Sequence, residues 1–361
     1  MKPFVSLEQG SGSHRLYQFV GWAIVAAVAV WLPFGMSTTN VGRFSDSMAF
    51  AVAVMGLNIV TGMSGQVSLG HSAFMGIGAF TTAILVADHD WSFFATVPLA
   101  ALLCFVVGVF VGVPALRLKG LYLALATLGL SIIFPKFIEK YDFTGGNDGK
   151  RLGRKRLVPP EWTNLDQRSD RHIWIYFVIL SFTVVLFILA RNLFRSRPGR
   201  ALIALRDNPV GAEVSGVNLA RYKVASFGLS AAYAGIAGSL LMFNTDIATG
   251  SSYSLNRSIA LITGLVIGGL ATIVGPVIGG LVVVWLPKII EDRIHGDDPR
   301  EKSWSTIIYG AALIGIMYAY PGGLAGLMRA IRSKFVAIRP RPPALPDPEP
   351  DVRENDVVTA G

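Results

Sequence analysis

Apolar runs close to the ~20 residues needed to cross the hydrocarbon core of a bilayer recur along the whole chain, separated by short polar or basic stretches. They predict helices at Phe19–Phe34, Ser47–Gly62, Val67–Ala87, Phe93–Leu116, Leu121–Ile138, Ile173–Phe194, Val224–Phe243, Ser258–Val274, Val277–Ile290 and Ser305–Tyr320. The expected fold is all-α and polytopic, with about ten transmembrane helices. Residues 1–18 form a short leading segment and 19–335 the membrane domain. Residues 336–361 form a tail so rich in proline and mixed charge that it is expected to be disordered.

Between the sixth and seventh runs lies Phe194–Lys223, whose ends carry Arg195, Arg197, Arg200, Arg206, Arg221 and Lys223. A short basic loop stays on the cytoplasmic side. With the start of the chain inside, ten spans return the tail to the cytoplasm, and the Arg117/Lys119 turn and the Arg329–Lys334 cluster fall inside as well. The segment 139–172 must then lie outside despite Lys150, Arg151, Arg154, Lys155 and Arg156, only partly offset by its acidic residues. Within the insert, Asn208 suits a helix N-cap, Pro209 the first helical position and Gly216 the left-handed residue after the last turn. A capped helix held by two spans is a docking element for a soluble partner, with Ala201, Leu202 and Leu205 as apolar contacts and Glu213 as a charge for pairing.

Composition agrees with the pattern. Of 361 residues 52% are hydrophobic and 15% charged, the mean hydropathy is +0.52, and soluble domains carry about a quarter charged residues. A formal net charge of +9 needs no nucleic acid, because cytoplasmic loops facing anionic lipid account for it. Cys104 is the single cysteine and reads as a packing residue, which rules out an internal disulfide or cysteine cluster. The first apolar run is long for a signal-peptide core and reads as a retained span. The pairs Gly108/Gly112, Gly264/Gly268 and Gly275/Gly279 have the small-residue spacing of close helix contacts.

Polar residues concentrate in Gly56–Phe80. Asn58, Thr61, Ser64, Gln66, Ser68, His71 and Ser72 surround Gly62, Gly65 and Gly70. Polar groups at membrane depth are satisfied either by neighbouring helices or by a water-filled path, so Asn58, Gln66, Ser68, His71 and Ser72 are candidates for the substrate pathway. Glycine-broken helices with free backbone groups are a device of transporters. No Asp or Glu falls well inside any expected span, which disfavours a carboxylate relay. TGGNDGK near Thr144 lacks the spacing of a phosphate loop, and no catalytic or metal-ligand pattern appears. If ATP drives transport, a partner must bind it.

GLNIVTGMSGQVSLGHSAFMGIGAF from Gly56, GLYLALATLGLS from Gly120, TGGNDG from Thr144, the Ser196–Leu240 stretch, VIGGLATIVGPVIGG from Val266 and YPGGLAGL from Tyr320 together resemble the LivM-like permeases of branched-chain amino-acid ABC transporters. The resemblance covers about Phe44 to Met328. It implies a non-enzymatic subunit of a type II importer with the vitamin-B12-importer-like arrangement, in the bacterial inner membrane. It also implies a second, LivH-like permease, two cytoplasmic ATPases that hold ATP and Mg, and an external solute-binding protein. The insert falls where such permeases place their ATPase-coupling loop, so Arg200, Arg206, Asn208, Pro209, Glu213 and Gly216 become the coupling candidates. Urea, short amides or other amino acids are alternative substrates within the same type, and an ion-coupled carrier is the competing class.

Overall fold

The computed structural model describes residues 5–8, 12–118, 120–153, 157–163, 165–166, 170–293, 307–308, 310–311, 313–315, 317–320 and 322–339. They fall into two units, 1–30 with 329–361, and 31–328. In the first unit, β1 (Val5–Glu8) pairs in parallel with β4 (Val336–Arg339), and most of α1 (Gly12–Trp31) follows β1. The expected disordered tail thus begins with a strand, and its remainder lies outside the described residues.

The second unit is built around α9 (Leu219–Thr245), against which α2 (Thr38–Leu57), α3 (His71–His89) and α4 (Phe93–Ala115) all pack. Small residues on α9 make that possible. A Cβ added at Gly78 of α3 would run into the Gly235 backbone, and one at Gly108 of α4 would meet Ala231. Without a hydrophobic force between helices in lipid, such close approach supplies the dispersion that holds them. α6 (Arg171–Arg195) packs on α2, and α5 (Leu121–Lys140) meets α3. The glycine pairs do what their spacing suggests: Gly264 of α10 (Leu255–Gly268) faces Gly279 of α11 (Gly275–Arg293), and Gly268 faces Gly275.

Among the described residues six helices are long and apolar enough to cross a membrane, within Thr38–Met63, His71–His89, Phe93–Pro114, Tyr122–Lys140, Arg171–Arg195 and Leu219–Thr245. Several expected bounds change. The second span begins at Thr38 rather than Ser47 and runs through a π-helical turn, Asn58–Met63. This places Asp46 in its third turn, so the expectation of no carboxylate inside a span is overturned. The third span begins at His71 rather than Val67, because 64–70 is not helical. The expected span Ser258–Val274 is instead the 14-residue α10, about 21 Å long against a ~30 Å core. It stops where Gly269 and Ala271 turn to positive φ. Part of Ser305–Tyr320 lies outside the described residues.

The loop after α5 folds onto the end of the unit opposite the 195–223 insert. β2 (Lys150–Arg151) pairs antiparallel with β3 (Ile247–Ala248), just beyond the C-terminus of α9. Lys150 Nζ lies 2.7 Å from Asp88 Oδ2 at the end of α3. Arg171 Nη2 lies 2.6 Å from Asp246 Oδ1 and also donates to the Phe243 carbonyl. Lys150 of this loop and Arg171 at the start of α6 are thus each paired with a carboxylate beside a helix end, and Arg154, Lys155 and Arg156 lie outside the described residues.

Candidate functional site

The chain leaves helical geometry between Met63 and His71 at the insert end of α2 and α3. Gly65 takes φ +72, a left-handed conformation that costs a residue with a Cβ about 1–2 kcal/mol. From there burial alternates: Gln66, Ser68 and Gly70 point inward, while Gly65 and Val67 are exposed. The inward side is fastened by side chains. Thr127 Oγ1 accepts from the Leu69 N–H at 2.9 Å, Ser131 Oγ donates to the Leu69 carbonyl at 2.6 Å, and Thr61 Oγ1 donates to the Gln66 carbonyl at 3.0 Å. Val67 forms no hydrogen bond among the described residues.

All five pathway candidates are buried, and the fold does not gather them into one cluster. Asn58 lies at the start of the π turn and bridges to the α10–α11 connection. Its Nδ2 donates to the Thr272 carbonyl at 2.7 Å, and its Oδ1 accepts from the Ala271 N–H at 2.8 Å. Gln66 Nε2 donates to Ser64 Oγ at 2.5 Å and Ser226 Oγ at 3.1 Å, whereas its buried Oε1 has no hydrogen-bond partner among the described residues. Ser72 joins Ser131 and Ser258 in a hydroxyl cluster spanning α3, α5 and α10, with Oγ separations of 2.8–3.0 Å.

His71 lies in a directed chain. Ser230 Oγ donates to the Gly56 carbonyl at 2.5 Å, so it must accept from His71 Nε2, 2.6 Å away. His71 Nδ1 then accepts from Ser68 Oγ at 3.0 Å. The network therefore assigns a neutral ring with the proton on Nε2. Neither ring nitrogen is free, so His71 acts here as a tie between α2, α3 and α9.

The insert consists of two helices. α7 (Arg197–Asp207) is capped by Ser196, whose Oγ accepts from the Gly199 N–H at 3.2 Å. The S-R-P-G run carries that signal, with a cap residue and then proline in the first turn, and it makes α7 a helix additional to the one expected after Asn208. α8 (Pro209–Val214) is capped by Asn208 Oδ1, which accepts from the Gly211 N–H at 2.9 Å. Gly216 ends it at φ +83, with Val217 N–H returning to the Ala212 carbonyl at 3.0 Å, as the cap residues predicted. The apolar contacts divide differently from the expectation: Leu202 and Leu205 are buried inward, and the outward apolar residues are Val210 (71% exposed) and Val214 (86%). Four apart, these two share one face of α8. Arg200, Pro209 and Glu213 are exposed as well.

Arg206 joins the insert to the break. Its Nη1 donates to the Gly62 carbonyl at 2.7 Å, its Nε pairs with Asp207 Oδ1 at 2.8 Å, and its Cγ lies 2.8 Å from where a Cβ of Gly65 would be. Its spacing from the 62–65 segment gives no hint of this contact.

The profile of a family described as branched-chain amino acid transport system, permease component, matches residues 39–317. The high-affinity branched-chain amino acid transport system permease protein LivM of Salmonella typhimurium is 28% identical over 320 residues, covering 84% of this chain and 73% of the relative. Its namesake from Escherichia coli is 27% identical over 325 residues, covering 85% and 74%. No solved structure gives a significant match.

Proposed function

This chain belongs to the family of branched-chain amino acid transport permease components, and on that premise we propose that it is the membrane-spanning permease subunit of an ATP-driven importer. Its cargo is a branched-chain or related amino acid delivered by an external solute-binding protein. The proposed assembly adds a second, LivH-like permease and two cytoplasmic ATPases that bind ATP and Mg. In this reading about ten spans take the type II arrangement: α1, α10, α11 and 305–320 join the six helices above. Both termini and the α7–α8 insert face the cytoplasm.

One observation carries the reading. A capped two-turn helix presents Val210 and Val214 to solvent, and its neighbour α7 is bonded through Arg206 to the broken segment between α2 and α3. An exposed apolar pair with Glu213 on the same short helix suits insertion into a groove on an ATPase. The break suits a cytoplasmic gate, since non-helical backbone at membrane depth survives only where protein or a water-filled cavity meets it. Asn58, Gln66, Ser68, His71 and Ser72 hold the gate in the present arrangement. They face the path when the gate opens, and Gln66 Oε1 is the acceptor already free.

Co-expression with the partner subunits and reconstitution in liposomes tests this. ATP-dependent uptake of leucine should appear only in the full assembly, with Val210→Cys or Val214→Cys cross-linking to an ATPase subunit. Uptake by the chain alone, driven by an ion gradient, would instead make it a secondary carrier. A full assembly that carries urea and not leucine would move the substrate to short amides.

A further inference from the structure

At the end of the second unit opposite the insert is a cavity of about 230 Å³, lined by α2, the end of α9 and the 247–257 segment. It is smaller than the ~300–1,000 Å³ of sites for drug-sized ligands, so it suits a small solute. Two opposite charges line it. Asp46 lies on α2 and Arg257 on α10. The Arg257 guanidinium sits 4.8 Å from the centroid of the Phe50 ring, and Phe50 is one helical turn from Asp46 on the same face of α2.

The two charges nevertheless form no ion pair with each other, because each is held by its own support. Asn244 Nδ2 donates to Asp46 Oδ1 at 2.8 Å. Arg257 Nε donates to the Ser252 carbonyl at 3.1 Å while its guanidinium carbon lies over the Phe50 ring. Among the described residues, Asp46 Oδ2 and both Arg257 Nη atoms have no hydrogen-bond partner. Partly buried charges carry a desolvation cost that a mutual contact would offset, so holding them apart beside an open cavity leaves room for something between them.

We propose that this cavity binds a zwitterionic α-amino acid, with Asp46 receiving the α-ammonium group and Arg257 the α-carboxylate. A guanidinium presents a planar fork that matches a carboxylate, and a carboxylate accepts from an ammonium through its free oxygen. Leu241, Ile247 and the Phe50 ring supply an apolar wall for an aliphatic side chain. Tyr253 is buried, and that burial holds its phenol above the ordinary range, so it meets the ligand as a neutral hydroxyl. This inference rests on the importer reading and adds a first site in the permease for solute released from outside. Neutral urea would have no use for two separated charges.

The test uses the full assembly with Cys104→Ala and a reporter thiol at the cavity rim, Ser252→Cys. Saturating leucine should slow modification by a small water-soluble thiol reagent at least fivefold. 4-Methylpentanoate, which lacks the amine, and 3-methylbutylamine, which lacks the carboxylate, should not. Asp46→Asn keeps the oxygen that Asn244 binds, and it should abolish protection by leucine. Arg257→Gln should do the same, and Arg257→Lys, which keeps the charge without the fork, should retain part of it. Absence of protection in an assembly that still imports leucine overturns the site and leaves the importer reading standing. Protection by urea, or equal protection by all three aliphatic probes, overturns the zwitterion assignment. Failure of the importer reading would show separately, as no leucine uptake by the unsubstituted assembly.

Discussion

Replacing Arg206 with alanine removes the bond between α7 and the broken segment and leaves both caps of the insert untouched. The lost bond is charge-assisted, from Nη1 to the Gly62 carbonyl at 2.7 Å, a type worth about 1.5–3 kcal/mol. The side chain is one-third exposed and also engages Asp207, so water competes and the lower end, about 1.5 kcal/mol, applies. If this bond transmits movement of the insert to the gate, that energy is its share of the coupling and corresponds to roughly a tenfold change in the linked equilibrium. Arg206→Ala should therefore lower solute uptake per ATP hydrolysed about tenfold in the reconstituted assembly, with basal ATPase activity and complex formation unchanged. Arg206→Lys should fall between, because a point charge on a flexible stem holds one carbonyl less firmly than the guanidinium. Measuring substrate-stimulated ATPase beside uptake decides the matter. A wild-type ratio in Arg206→Ala would refute the link and reduce the contact to surface packing.

Other expected outcomes follow from neighbouring geometry. Gly216→Val meets open space but is forced into positive φ, about 1 kcal/mol or more; it and Glu213→Lys should uncouple ATP hydrolysis from uptake without disturbing membrane insertion, and normal values of both in both variants would make the insert a plain connector. Asn58→Leu keeps the shape but strands the Ala271 N–H and Thr272 carbonyl, about 1–3 kcal/mol for each group left buried; thermal unfolding in detergent should show a lower midpoint, and an unchanged one would mean that the tie is idle. In a Cys104→Ala background, Val67→Cys should react with a water-soluble thiol reagent in every state, and Gln66→Cys only in the nucleotide state that opens the break. Equal protection of Gln66→Cys in all states would confine it to packing.

Hydropathy alone located the cores of the long spans, because a run of apolar side chains is a local property that any bilayer reads in the same way. The caps of α8 were equally legible: Asn208, Pro209 and Gly216 act within a few residues of themselves. The close-contact spacing of Gly264/Gly268 and Gly275/Gly279 was legible too, but that the two pairs face each other came only from the packing of α10 on α11.

Tertiary packing decided what lay between. Asp46 lies within α2, where Asn244, almost two hundred residues later, donates to it from α9. Asn58 holds the connection where α10 ends, and no hydropathy window contains both. Leu205 and Val210 are similar as residues, yet one is buried and the other exposed, because α7 rests on the membrane unit and α8 projects from it. His71 became a tie when Ser230 closed the chain of hydrogen bonds across α9. A short helix does not state in its own residues which face its neighbours will cover. Opposite charges such as Asp46 and Arg257 become a site only when separate helices bring them to one cavity.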